Sequence, residues 1–214
     1  FECGRMQSVD SEVIMPVITE HVSYNGYDRR YNKGFWKDSY IFIRFRPEKI
    51  ASSKVLFGHY PPIYSKRNIP AFSKYDFCAD EKGVIVTFAA DSRIFIMDYE
   101  GNIAGSFGFP EDGISGNYPA TSSFEEYEAK RKKMMEQYGF YDRLARCGDY
   151  IFRTCHLDKS AGTILQIYDG NYDLVGRVPV GDGFEVIGEC NGTYYAYNSL
   201  DLDSEQFVII TFRI

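Results

Sequence analysis

One order of short apolar segments and tight turns occurs three times along this chain. The copies are "YDFCADEKGVIVTFAADSRIFIMDYEGNIAGSFGF" (75–109), "YDRLARCGDYIFRTCHLDKSAGTILQIYDGNYDLVGRVPV" (141–180) and "FEVIGECNGTYYAYNSLDLDSEQFVIITFRI" (184–214). Each opens with a segment that runs into a turn, "DEKG", "GD" or "NG", and a second segment follows: "VIVTF", "YIFRT" or "TYYAY". A polar loop then leads to a third, "RIFIMD", "ILQIYD" or "FVIITF". The first two copies add a turn and a fourth segment, "IAGSFGF" or "LVGRVPV", whereas the third stops before it. Apolar or alternating runs bounded by Gly, Asn and Asp are the mark of strands joined by hairpins. A weaker copy, "KGFWKDSYIFIRFRPEKIASSKVLFG" (33–58), has the order strand, polar loop, strand, turn, strand. Its Asp38-Ser39 precedes the third strand as Asp91-Ser92 and Asp203-Ser204 do.

The period narrows the choice. From Asp149 to Gly192 the turn advances 43 residues, and propeller blades of four antiparallel strands recur every ~40–45. The step from Gly83 to Asp149 is 66, and the excess of 23 has a home in "SSFEEYEAKRKKMMEQYGF" (122–140). There Ser123 and Glu126 make a capping box and Gly139 a stop, which predicts an inserted helix of about four turns. Its Phe124, Tyr127, Met134, Met135 and Tyr138 are expected to lie against the blades. The expectation is an all-β chain: a β-propeller of four-stranded antiparallel blades, as a partial or small ring, with one inserted α-helix at about 122–140. Residues 1–214 read as a single domain, either a small ring closed by a strand such as "SEVIMPVI" (11–18) or a ring lacking N-terminal blades. The chain begins at Phe1, which reads as a trimmed, processed or partial product. A sandwich is the main alternative, but four-strand units in tandem favour blades.

Composition agrees. The 18 Tyr and 17 Phe bring aromatics to 17%, and these residues favour strands and the faces between packed sheets. The net charge is −6 and the only basic run is "KRKK" (130–133), so the basic stripe of a nucleic-acid binder is missing. No apolar run reaches the length of a membrane span. Five cysteines, at 3, 78, 147, 155 and 190, are odd in number and form no C-x-x-C, which indicates neither a disulfide framework nor a zinc ribbon. The densest stretch, "CGDYIFRTCH" (147–156), places its sulfurs at opposite ends of a hairpin. Six strand residues at ~3.3 Å each hold them too far apart for a disulfide or a shared ion. Its cysteines read as small buried hydrophobes, and His156 as a loop residue past the second strand. No cofactor or metal site is indicated.

The blade pattern, the helical insertion after "FGFPEDGISGNYP" and the ending "FVIITFRI" resemble the TolB-like six-bladed propeller proteins of Bacteroidota over residues 33–214. The resemblance implies a periplasmic or cell-envelope protein without assigned activity, with a lipid anchor outside or at the N-terminus. Cys3 follows Phe1 and Glu2 instead of the small residues that precede an anchoring cysteine.

Loop length points to a working surface. Turns between first and second strands, and between third and fourth, are tight, while loops between second and third strands and links between blades vary. Those two classes emerge on one face of a propeller, the place where recognition gathers. The candidates on it are His59, Tyr60, Tyr64, Lys66, Arg67, Asp91, His156, Asp158, Lys159, Asp201 and Asp203. "DLDSE" (201–205) lacks the spacing of a calcium loop. No H-E-x-x-H, G-x-S-x-G or phosphate loop occurs. The expected function is a non-catalytic binding propeller contacting a protein or glycan. The alternative is a carbohydrate-active enzyme of lyase or glycosidase type, for which His59, Tyr60 and His156 are the natural set.

Overall fold

The computed structural model describes residues 5–18, 20–198 and 208–214. The first sheet is built in chain order from β1 (Gln7–Val9), β2 (Glu12–Pro16), β3 (Tyr40–Phe45) and β4 (Val55–His59), with short helices α1 (Phe35–Asp38) before β3 and α2 (Ile50–Ser53) before β4. A connector carrying α3 (Pro62–Arg67) leads to β5 (Tyr75–Asp80), β6 (Gly83–Phe88), β7 (Asp91–Met97) and β8 (Ile103–Phe107). Helix α4 (Phe124–Gln137) precedes β9 (Phe140–Cys147), β10 (Tyr150–His156), β11 (Thr163–Tyr168) and β12 (Leu174–Val180). The last sheet holds β13 (Glu185–Cys190), β14 (Thr193–Tyr197) and β15 (Ile209–Phe212). All pairs are antiparallel, and within each sheet neighbours in sequence are neighbours in space.

Burial explains why the inner strands read as apolar runs. Every residue of β6 is buried. Val84, Val86 and Phe88 join Phe42 and Phe57 of the first sheet, while Ile85, on the other face, meets Leu144, Ile151 and Tyr168 of the third. Strand β10 divides likewise: Ile151 faces the second sheet and Phe152 packs with Phe184 and Tyr194 of the fourth. A strand buried on both faces has no reason to alternate with polar residues. Each such aromatic contributes about 1.5–3 kcal/mol through burial. Three successive interlayer cores thus join four sheets, more than a two-sheet sandwich has.

Side chains also stitch the first strands to one another. Gln7 donates to the Phe77 carbonyl and accepts from the Ala79 amide, both at 2.7 Å, tying β1 to β5. The Leu144 amide donates to Asp76 Oδ2 at 2.9 Å, tying β5 to β9. Arg143 reaches Glu185 at 3.5 Å, tying β9 to β13. Because the strands alternate in direction, the starts of these first strands, the links between sheets and the loops between second and third strands share one edge. The opposite edge carries the hairpin turns. One is Asn191-Gly192, with φ of 52° and 74°, the left-handed pair of a type I′ turn.

Several expectations change. "GFW" is no strand: Phe35 and Trp36 lie in α1, both buried. The second strand of that sheet is β2, which pairs with β1 and β3 and so is not a ring-closing partner of the last sheet. His156 ends β10 instead of sitting in a loop. Helix α4 has its Ser123 cap, the hydroxyl accepting from the Glu126 amide at 3.2 Å, and Glu126 reaches back to the Ser122 amide at 2.8 Å. Tyr127 and Met134 are buried, but Phe124 is 51% exposed and meets Tyr27 edge-on in place of a sheet. Gly139 is required by close approach and not by a left-handed cap: a Cβ there would collide with the His156 carbonyl. Among the described residues no helix is long and apolar enough to cross a membrane.

Candidate functional site

A cavity of about 160 Å³ opens on the connector edge, lined by Lys74, Asp142, Arg143, Thr154, His156, Thr163, Gly183, Phe184, Glu185 and Tyr197. The third and fourth sheets contribute, with Lys74 from the connector just before β5. Local backbone geometry explains how two consecutive residues of β9 both reach it. Tyr141 pairs with Cys155 and Leu144 with Arg153, so Asp142 and Arg143 together face Thr154. That bulge breaks the in-out alternation and re-aims the extra side chain. The Thr154 hydroxyl accepts the Arg143 amide at 3.0 Å, so the bulge leaves that donor satisfied.

The polar groups form one connected network. His156 Nε2 meets Asp142 Oδ2 at 3.1 Å, and its Nδ1 meets the Thr163 hydroxyl at 3.1 Å. Thr163 donates to Asp182 at 2.7 Å. Lys74 lies 2.7 Å from the other Asp142 oxygen. Glu185 accepts from the Tyr197 hydroxyl at 2.8 Å and pairs with Arg143 and Arg5. Burial pushes the Asp142 carboxyl up, but the bond from His156 and the Lys74 ammonium outweigh it and hold the group well below the usual carboxylate range. Asp76, at the same place in the preceding repeat, moves the other way: burial raises it, and the amides of Leu144 and Phe77 with the more distant Arg5 and Arg143 only partly compensate. The cation in contact makes the difference.

Both nitrogens of His156 are engaged within the protein, Nε2 with Asp142 and Nδ1 with the Thr163 hydroxyl. Burial pushes the Cys78 and Cys155 thiols up to about 12, and a thiol that stays protonated is a poor nucleophile. What faces the cavity is a set of fixed donors and acceptors suited to a polar ligand.

A second cavity, of about 380 Å³, lies on the same edge between residues 29–37 and 65–68. The sequence candidates divide between the two and the core. His156 lines the smaller cavity, Lys66 and Arg67 the larger. His59 and Tyr60 line neither: His59 Nδ1 lies 3.0 Å from the Ser39 carbonyl, and Tyr60 packs on Trp36 and Tyr64. His59, Tyr60 and His156 are therefore not one constellation. Tyr64 is fully buried and donates to the Phe72 carbonyl at 2.7 Å, which makes it a core residue. Asp91 is buried and held by Arg93 at 2.7 Å. Asp158 accepts from the amides of Gly139 and Ser115 at 2.6 and 3.1 Å, pinning two loops. Lys159 is exposed, at a φ of 57°. Asp201 and Asp203 lie outside the described residues.

Sequence reasoning missed Lys74, Asp142, Arg143, Thr163, Glu185 and Tyr197. A signal was present. The heads of the three repeats read Tyr75-Asp76, Tyr141-Asp142 and Phe184-Glu185, an aromatic followed by an acid where an inner strand begins.

Strand order and stacking define an all-β repeat protein with antiparallel sheets set one after another. No known family model matches the chain, and neither does any curated protein. Among solved structures its fold is similar to that of a member of the DUF4221 family from Bacteroides vulgatus, with a TM-score of 0.68 and 11% identity over 98% of this chain and 63% of that one. At such identity the likeness is one of fold, and the chain spans 63% of that protein's length.

Proposed function

We propose that this chain is a non-catalytic binding propeller of the bacterial cell envelope that recognises a glycan or protein partner through its connector edge. The four sheets are its blades, and the stitched first strands are the ribbons nearest the axis, as in TolB-like proteins. The observation that carries the reading is the small cavity at the mouth of those strands. Its carboxylates, cations and hydroxyls are fixed against one another, which favours recognition without large rearrangement. A site of that size takes one sugar ring or one polar side chain, with the surrounding loops contacting the rest. The DUF4221 neighbour from Bacteroides supports the fold, and the envelope setting rests on the resemblance to TolB-like proteins.

Oligosaccharide screening with the pure protein tests this. The expected result is saturable binding without turnover, weakened by Glu185→Gln and by His156→Ala. Turnover abolished by His156→Ala would reject the binding-only reading in favour of a lyase or glycosidase. Fractionation of the source cells, with the protein recovered in the cytosol, would remove the envelope assignment.

A further inference from the structure

The larger cavity has a different chemistry, and nothing above depends on it. Its walls carry Arg29, Lys33, Lys37, Lys66 and Arg67, and no carboxylate is among its lining residues. This gathering occurs on a chain with 24 basic against 30 acidic side chains, where an even spread would have mixed the signs. Arg29, Lys33, Lys37 and Lys66 make no ion pair among the described residues. Arg67 donates one bond, to the Gly116 carbonyl at 2.6 Å, and keeps the rest of its guanidinium. Of the nearby acids, Asp28 is committed to Arg30 at 2.5 Å, and Asp38 lies behind Gly34, one carboxylate against five cations. Like charges held together raise the energy of the folded chain unless an anion sits among them.

The floor is rigid and its polar groups are already in use. Asn68 closes α3 in a left-handed conformation, with φ of 53°. Its carbonyl oxygen accepts from Asn32 at 2.6 Å and from the Trp36 indole at 3.0 Å, and its amide donates to the Thr121 carbonyl at 2.6 Å. Trp36 is 4% exposed, so it offers no face on which a sugar or base could stack. A ligand here is recognised by charge at the walls. The volume exceeds that of a bare oxyanion and leaves room for the group that carries it.

We infer that this cavity binds an oxyanion ester, a phosphate or sulfate group attached to a small organic body. Calorimetry on the full chain with phenyl phosphate, phenyl sulfate and phenol tests it. Either ester should bind more tightly than phenol, and whichever binds better names the source. Binding should weaken with added salt. Lys33→Ala with Lys66→Ala should weaken it by roughly threefold to tenfold, each lysine acting as an exposed ion pair. Lys130→Ala, on the exposed face of α4, should leave it unchanged. Esters binding no better than phenol, a double variant equal to wild type, a control equally impaired, or affinity indifferent to salt would each overturn the assignment. Both lysines are exposed, and matching melting temperatures exclude misfolding; if the double variant unfolds, Lys37→Ala and the wild-type salt dependence decide.

Discussion

Asp142 is stabilised in its charged form by His156 and Lys74, and this gives its carboxylate a signature in acid. A group whose pKa is lowered by folding contributes stability that is complete above its unfolded pKa, about 4 for Asp, and is lost as the pH falls toward the folded value. Asp142→Asn should therefore destabilise the protein by about 2 kcal/mol at neutral pH. In urea titrations the gap from wild type should narrow steadily below about pH 4; a gap of constant size would contradict the pairing. The cysteines permit a second check. Peptide mapping after alkylation of the native protein should find Cys190, which is exposed, modified early. Cys78 and Cys155, pushed up to about 12, should react only after unfolding. Residue roles were the least legible part of the sequence. Tyr64 and Asp91 look like loop residues on paper, but one is the centre of an aromatic core and the other is spent on Arg93. Among the described candidates His156, Lys66 and Arg67 line the two cavities above and the others do not, because a loop's position says where a side chain starts and not where it ends.

Single elements depend on polar contacts that the apolar pattern does not reveal. Strand β10 carries Arg153, fully buried, which donates to Gln166 at 2.9 Å and to the carbonyls of Ser92 and Phe109 at 2.8 and 3.0 Å. Gln166 in turn donates to Glu111 at 2.6 Å, and Glu111 pairs with Arg177. The guanidinium thereby fastens the third sheet to the connector edge of the second, at the start of β7 and just past the end of β8. Arg153→Met keeps the volume but strands those acceptors, and chemical denaturation should show a loss of about 3–5 kcal/mol. For α4 the sequence was more explicit, since Ser123 and Glu126 named the first turn before any coordinates. Ser123→Ala should cost about 1 kcal/mol, read as a lower denaturation midpoint. The other end differs from the expected stop signal: Gly139 serves the chain that passes beside it. A glycine in sequence does not say whether it supplies a dihedral angle or an absence.

At the scale of the whole molecule, the repeat was legible because turn residues and apolar runs recur together, and the sheets follow those runs closely from Tyr75 onward. The first sheet was less legible. Its second and third strands are separated by residues 17–39, so the short helix at Phe35–Asp38 stood where a strand was expected. Layering also sets a gradient of stability. Strands β6 and β10 have neighbours on both faces, while β8 and β12 are largely exposed. Hydrogen exchange should be slowest in β6 and β10 and fastest in β8 and β12, and a uniform profile would contradict that order. The stitches between first strands have a consequence for how the chain tolerates insertions. Each sheet's alignment to the next is fixed by contacts such as Gln7 with Phe77 and Asp76 with Leu144, so segments spliced in at the connector edge leave that alignment alone. Residues 110–139 are such a segment: α4 and its flanking loops lengthen the link between the second and third sheets, while Asp76 still meets the Leu144 amide across it.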